Sequence, residues 1–245
     1  MEQRERKELC MTYVMSDLHG QYRLYCEMLS KIDLCESDTL YILGDFVDRG
    51  DDGVKILLDV MKRPNVKPLL GNHDWTMLAL ICEEKRLIEK LGREGATDLY
   101  RLWFSDGGRP TYQAIRALDR ETRKKVLSFV ADMNYIAEIT VGDKKYFLSH
   151  TLPEYDPNTP LTDRPADEFI HGEPDYDTEY LPGVTTVTGH TPTGLIDPNF
   201  CGRIWQGNGH IAVDCGIAFY STLGCICLDT MEEFYVKGDE QNVKV

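Results

Sequence analysis

The sequence predicts an α/β protein whose first half builds a mostly parallel sheet covered by helices. Short runs rich in β-branched and aromatic residues alternate with stretches in which apolar residues recur at helical spacing. This order is typical of strand–helix–strand units with parallel strands. The chain of 245 residues is also long enough to bury one large core, so we expect a single domain over residues 1–245.

Residues 11–133 contain three predicted strands and a series of helices. Helical periodicity continues over residues 93–133, with a break at 106–110, where Pro110 fits the first position of a new helix. The predicted strands are Met11–Ser16, Thr39–Leu43 and Val66–Leu70, and the helices predicted before residue 93 are Gln21–Ile32, Val54–Met61 and Trp75–Leu91.

The second half is rich in strands. Gly142 and Asp143 separate two strand-like runs and predict a β-hairpin. Residues 151–183 show no clear period and contain six of the eleven prolines, so we expect a long irregular segment there. The predicted strands are Tyr135–Val141, Lys144–Leu148, Val184–Thr188, Ile211–Val213, Thr222–Leu228 and Phe234–Val236.

The composition excludes several classes of function. The chain has 27 basic and 41 acidic residues, a net charge of −14, which disfavours binding to nucleic acid or to anionic membranes. No apolar run approaches the length of a membrane span, and residues 1–9 lack the apolar part of a secretory leader. The eight cysteines form no C-x-x-C pair, and most lie in apolar stretches, which favours reduced, buried thiols and a cytoplasmic location.

Polar side chains follow the predicted strands at their carboxyl ends, where open α/β sheets bind ligands. Asp17 and His19 are two residues apart, so in an extended segment both can face one cation. Asp45 follows the second strand, and its two carboxylate oxygens can bridge two metal ions. This mixture of nitrogen and oxygen ligands suits Mn, Fe or Zn better than a soft thiolate site. Further candidate ligands after later strands are Asn72, His150 and His190.

The ordered motifs resemble those of the calcineurin-like metallophosphoesterases, and most closely the bacterial and phage-type serine/threonine protein phosphatases. The motifs are D-x-H-G at 17–20, G-D-x-x-D-R-G at 44–50, G-N-H-D at 71–74 and, after a further histidine, G-H at 189–190. The resemblance implies a four-layer α/β/β/α sandwich with mixed sheets and two divalent metal ions, with manganese favoured and iron or zinc as alternatives. It implies that the first ion is held by Asp17, His19 and Asp45, and the second by Asp45, Asn72, His150 and His190.

The resemblance also implies roles for three other motif residues. His73 would protonate the leaving group, Asp48 would accept a hydrogen bond from His73 and orient it, and Arg49 would bind phosphate oxygens. A turn-forming role for Asp48 and a surface salt bridge for Arg49 remain open alternatives. Outside these motifs, we expect surface or structural roles for His171 and His210 and a structural role for Asp214. We expect the three tryptophans to lie in the core, namely Trp75, Trp103 and Trp205.

The resemblance supports two substrate classes. Our first expectation is hydrolysis of phosphoserine or phosphothreonine in proteins, and the alternative is hydrolysis of symmetrical diadenosine tetraphosphate or another nucleotide. An inactive metal-binding scaffold is disfavoured because His73, Asp48 and Arg49 are all retained.

Two features of the segment 151–183 bear on this choice. The family's protein phosphatases usually supply a second phosphate-binding arginine from this part of the chain. Here Glu173 lies near the expected position, and Arg164 is the only basic residue. The segment has nine acids and one base, a net charge of −8. We expect it to form a cap or flap beside the site, which would repel a tetraphosphate and accept a phosphopeptide with basic flanks.

Overall fold

The strand–helix units predicted for the first half are present. The computed structural model describes residues 10–238. β1 pairs in parallel with β2, and β2 with β3, because a helical crossover returns the chain to the same edge of the sheet each time. The elements are β1 (Thr12–Met15), α1 (Tyr22–Lys31), β2 (Thr39–Ile42), α2 (Gly53–Val60) and β3 (Val66–Pro68).

Four helices follow β3. The prediction of one helix over Trp75–Leu91 is wrong, because the chain leaves helical geometry at Glu83, with φ −99° and ψ 8°. No glycine or proline marks this break in the sequence. The fourth helix also bends at Gly92, whose φ of 75° is accessible to a residue without a Cβ atom. The helices are α3 (Asn72–Cys82), α4 (Glu84–Ser105), α5 (Arg109–Ala117) and α6 (Arg120–Ala131).

The second half contains the predicted strands, one further strand, three short α-helices and two single turns of 3-10 helix at Leu161–Asp163 and Pro198–Phe200. The hairpin at Gly142 and Asp143 is confirmed, with Val141 paired to Lys144. Strand β7 and the helices α7 to α9 were not predicted, because three or four residues are too few to show a period. The elements are β4 (Ile136–Val141), β5 (Lys144–Ser149), α7 (Glu168–His171), β6 (Val184–Thr188), α8 (Thr193–Ile196), β7 (Trp205–Gly207), β8 (His210–Ala212), α9 (Ile217–Tyr220), β9 (Thr222–Cys227) and β10 (Glu233–Lys237).

The strands form two mixed five-stranded sheets. The first has the order β10-β9-β1-β2-β3, in which β9 runs antiparallel to both of its neighbours. The second has the order β4-β5-β6-β8-β7, in which the two edge strands run antiparallel to three parallel ones.

Alternating side chains of the strands build the layers. Val14 and Ile226 of the first sheet pack with Leu148 and Val187 of the second in one buried cluster, so the two sheets lie face to face. The opposite face of the first sheet packs against the helices of the first half. The opposite face of the second sheet is covered by the segment 151–183, whose Phe169 packs on Phe147. These layers confirm the predicted α/β/β/α sandwich, with a thin fourth layer.

Some cysteines that were expected to be buried are exposed. All eight are free, and three are buried, but the prediction of burial is wrong for four that lie in turns or at the ends of elements. The exposed ones are Cys10, Cys35, Cys82 and Cys201. Over residues 10–238, no helix combines the length and the apolar character needed to cross a membrane.

Candidate active site

The loops after β1, β2 and β3 meet at one edge of the first sheet. The backbone N–H of Asp17 donates to the carbonyl of Gly44 at 3.1 Å, and that of His19 donates to the carbonyl of Asp45 at 2.9 Å. Gly71 fits between these loops because it lacks a side chain. A Cβ atom there would lie 2.2 Å from Oδ1 of Asp45.

The backbone of this edge is strained. Ten non-glycine residues within 10–238 have φ in the left-handed region, and six of them are residues that the motifs single out. Such conformations cost on the order of 1–3 kcal/mol each and concentrate at functional sites. The six are Asp17, His19, Asp45, Asp48, Arg49 and His190.

Asp45 lies at the centre of two groups of metal-ligating atoms. One group comprises Asp45, His19 and His73, and the other comprises Asp45, His150 and His190; within each group the ligand atoms lie within 4.8 Å of one another. Oδ2 of Asp45 is 3.7 Å from Nε2 of His19 and 3.6 Å from Nε2 of His150. A carboxylate shared by two ligand groups is the arrangement that a bridging role requires.

Asn72 lies beside the second group, and its side-chain oxygen faces a histidine lone pair there. Nδ1 of His150 donates to the carbonyl of Leu43 at 2.6 Å, so its Nε2 atom carries a lone pair. This atom faces Oδ1 of Asn72, also an acceptor, at 2.9 Å, and Nδ1 of His190 is 3.1 Å away. Two facing acceptors repel each other unless a cation binds both. The donor set therefore fits a divalent metal ion.

His19 is prepared for a metal in the same way. Its Nδ1 atom donates to the carbonyl of Val47 at 3.2 Å, which leaves the lone pair on Nε2. Burial lowers the pKa of His19, and it lowers the pKa of His190 to about 4. Both imidazoles are thus neutral near pH 7, the form that binds metals.

Asp17 lies beside these groups without belonging to either of them in the described residues. Its Oδ2 atom accepts a hydrogen bond from the backbone N–H of His190 at 2.9 Å. Burial raises the pKa of Asp17, and burial together with repulsion from Asp17 raises that of Asp214. Two acidic groups buried near Asp45 fit a site that receives cations. The role of Asp17 as a metal ligand remains a prediction.

His73 is held by a buried hydrogen-bond system. Its Nδ1 atom donates to Oδ2 of Asp48 at 2.8 Å, and Nε1 of Trp103 donates to the same oxygen at 2.8 Å. Burial alone lowers the pKa of His73, but attraction to Asp45 and the hydrogen bond to Asp48 raise it to about 9. His73 is therefore protonated near pH 7. Asp48 is completely buried, so its carboxylate meets His73 and Trp103 away from solvent.

The contribution of Trp103 could not be read from the sequence. Its burial matches the expected place in the core, but its hydrogen bond reaches Asp48 across 55 positions of the chain, and no local pattern marks it. Trp75, also expected in the core, is instead 41% exposed.

Arg49 points into the site. Its guanidinium donates from Nη1 to Nε2 of His19 at 2.9 Å, and its Nη2 atom lies 3.2 Å from Nε2 of His73. It also forms an ion pair with Asp106 at 3.5 Å, so the salt-bridge alternative is present in addition to these contacts. Because Arg49 uses the lone pair of His19 that a metal would need, metal binding must release this guanidinium to another partner, such as a phosphate.

Asp74 supports the site, and the sequence analysis gave it no role. Its buried carboxylate accepts hydrogen bonds from the backbone N–H groups of Asp45, Phe46 and Gly71 at 2.8, 3.0 and 3.2 Å. These bonds join the loop after β2 to the start of α3. Asp74 thereby positions both Asp45 and the adjacent His73. The position of Asp74 at the end of the G-N-H-D motif was the feature of the sequence that could have indicated this role.

The acidic segment 151–183 borders the site only in part. Glu173 and Tyr176 line a cavity of about 420 Å³ together with His190. Residues 154–164 instead line a separate cavity with Phe147 of the second sheet. Arg164 donates to Glu168 at 3.2 Å and to the carbonyl of Glu154 at 2.9 Å, so it does not replace the missing phosphate-binding arginine. The cap or flap role of this segment remains a prediction.

Several curated proteins match part of this chain. Curated relatives include symmetrical bis(5'-nucleosyl)-tetraphosphatases from Wigglesworthia glossinidia brevipalpis, 35% identical over 80 residues, and from Delftia acidovorans, 41% identical over 69 residues. These matches cover 32% and 27% of this chain and 29% and 25% of the relatives, so less than a third of their length is matched.

Solved structures share the fold at low identity. One described as a candidate diadenosine tetraphosphatase has a TM-score of 0.63 and 18% identity, over 94% of this chain and 95% of that one. A serine/threonine phosphatase from Saccharomyces cerevisiae has a TM-score of 0.56 and 13% identity, over 94% and 81%. The family model of the calcineurin-like phosphoesterases matches residues 11–207, most of the length of the chain. The chain therefore belongs to the calcineurin-like phosphoesterase family.

Proposed function

We propose that the chain is a metal-dependent phosphoesterase whose preferred substrates are symmetrical dinucleoside tetraphosphates. The observation that carries the phosphoesterase assignment is the position of Asp45, shared by two groups of metal ligands beside a protonated histidine. We propose two divalent metal ions, with Mn favoured and Fe or Zn as alternatives. The first is assigned to Asp17, His19 and Asp45, and the second to Asp45, Asn72, His150 and His190.

The side chains of the site then have distinct tasks. When bound, a pair of divalent ions supplies Lewis-acid charge and lowers the pKa of water for attack on phosphorus. Arg49 binds phosphate oxygens and stabilises the charge that develops on them. His73 holds a proton at Nε2 for the departing oxygen, and Asp48 keeps that ring oriented through Nδ1. Trp103 fixes Asp48 in turn.

Nucleotides are favoured as substrates for two reasons. The curated relatives that match this chain are named for hydrolysis of bis(5'-nucleosyl) tetraphosphates. In addition, Glu173 is the one acid of residues 151–183 that lines the cavity with His190, so few charges of this segment lie directly beside the site. Hydrolysis of phosphoserine and phosphothreonine is the second candidate, and the net charge of −8 over residues 151–183 is the observation that favours it.

A substrate comparison tests the proposal. With Mn²⁺ present, we expect kcat/KM for diadenosine tetraphosphate to exceed that for a phosphoserine peptide with basic flanks by at least about tenfold, a difference of about 1.4 kcal/mol. Symmetrical cleavage should yield ADP as the sole nucleotide product, measured by ion-exchange chromatography. A reversed preference would support the second candidate, and full activity in excess chelator would contradict both.

Removing the hydrogen bond that Trp103 donates to Asp48 should make His73 a less effective acid. In Trp103→Phe, Asp48 loses a donor to its charged carboxylate, so we expect kcat to fall about tenfold with little change in KM. Trp205→Phe, in strand β7 of the second sheet, is the matched control. Steady-state kinetics with aryl and alkyl phosphates give the check, because a weakened acid slows the poorer alkyl leaving group more. An equal loss on both substrates would contradict the positioning role.

A further inference from the structure

A large groove between α3 and α4 opens directly onto the site. Its volume is about 820 Å³, within the range of pockets that bind small organic ligands. Asn72, His73 and Asp106 line the end nearest the metal ligands. The bend at Gly92 sets two arms of α4 around the groove, since residues before and after it contribute to the lining.

The position of His73 determines which part of a substrate would enter this groove. The proton on Nε2 must reach the oxygen that departs, so the leaving group lies on the side of His73. The water oxygen joins phosphorus, and the bond from phosphorus to the bridging oxygen breaks. That oxygen keeps the electron pair and takes the proton of His73, which is restored by the proton that water releases. A leaving group larger than a small alcohol would therefore extend along α3 and α4.

The walls of the groove suit a nucleoside. Trp75 is 41% exposed and Leu102 is 68% exposed, which leaves large apolar side chains uncovered next to a phosphate site. Aromatic side chains stack on the flat face of any nucleobase, whichever base it is. Arg86 and Lys90, one turn apart on the first arm of α4, add positive charge to the lining, partly offset by the ion pair of Arg86 with Glu83 at 3.0 Å. Apolar walls with cations complement a base that carries phosphates.

We propose that this groove binds the leaving nucleotide of a dinucleoside tetraphosphate, with its phosphates at His73 and its base against the apolar walls that include Trp75 and Leu102. This inference rests on the proposed function. It adds a nucleoside-binding site that determines preference among phosphoesters, because substrates without a base leave these walls uncovered.

Substitutions in the walls test the proposal. Leu102→Glu places a negative charge where a nucleotide would bind, and Trp75→Ala removes the aromatic surface. For each variant we expect the ratio of kcat/KM for diadenosine tetraphosphate to that for 4-nitrophenyl phosphate to fall at least about tenfold, as loss of one stacked base does. Leu91→Glu is the matched control, since Leu91 is an exposed leucine of α4 that does not line the groove, and its ratio should stay unchanged.

Direct binding separates this inference from the proposed function. We expect ADP to bind the wild-type protein and Leu91→Glu equally in calorimetry, and Leu102→Glu at least about tenfold more weakly. If the wild-type protein hydrolyses neither phosphoester, the proposed function fails, and the ADP titration still decides the groove. Unchanged ratios and ADP affinities in Leu102→Glu and Trp75→Ala would overturn the inference. A selective loss of phosphopeptide hydrolysis in these variants would also overturn it, because the groove would then belong to a peptide.

Discussion

Asp45→Asn is expected to reduce bound metal from two ions per chain to one or fewer and to lower phosphoesterase activity about 10³-fold or more. The substitution removes one of the two anionic oxygens that can bridge the ligand groups, while it keeps the size of the side chain. Metal ions contribute several kcal/mol to transition-state stabilisation, and each 1.36 kcal/mol corresponds to a factor of ten in rate. The expected loss is therefore among the largest that a single substitution in this chain can cause.

Metal analysis by mass spectrometry and steady-state kinetics at saturating Mn²⁺ measure the two effects. Asp59→Asn provides the control, since Asp59 is a partly buried aspartate that binds Tyr25 and Arg63 away from the metal ligands. The control should keep two ions and full activity. Two ions per chain in Asp45→Asn, with activity near that of the wild type, would rule out the shared role of Asp45.

The residues that converge on Asp45 were predictable because of one geometric rule. Parallel strands end at the same edge of a sheet, so polar residues directly after β1, β2 and β3 must lie near one another. Asp45 and His19, which follow β2 and β1, illustrate this, since Oδ2 of Asp45 lies 3.7 Å from Nε2 of His19. The rule does not cover His150, which follows β5 of the second sheet and lies 3.6 Å from the same oxygen. The resemblance of the ordered motifs then supplied roles that the rule alone could not assign.

Other parts of the site depend on contacts that leave no local pattern. The bond from Trp103 to Asp48 requires α4 to pass over the loop after β2, and this depends on the unmarked break at Glu83. The groove likewise depends on the bend at Gly92, a residue that a sequence pattern treats as a tolerated interruption. Tertiary packing decides both features, whereas strand-end positions follow from the order of elements alone.

His73→Asn is expected to lower kcat about 10²–10⁴-fold while two metal ions remain bound. Two roles are compatible with the position of His73, because Nε2 lies 4.0 Å from Oδ2 of Asp45 within one ligand group, and Nδ1 is bonded to Asp48. A metal ligand must be a neutral imidazole, whereas the surroundings of His73 raise its pKa to about 9 and favour the protonated form. The structure thus favours the acid.

The two roles of His73 predict different measurements. An acid donates to the departing oxygen, so its loss should slow an alkyl phosphate, a poor leaving group, more than 4-nitrophenyl phosphate, and metal content should stay at two. A ligand holds the ion, so its loss should lower metal content and slow both substrates alike. His171→Asn, an exposed histidine of α7, should change neither quantity. Because Asn72 and His150 face each other as acceptors without any help from His73, we expect the second ion to remain bound in His73→Asn in either case. Loss of the first ion, with both substrates slowed alike, would exclude the acid role.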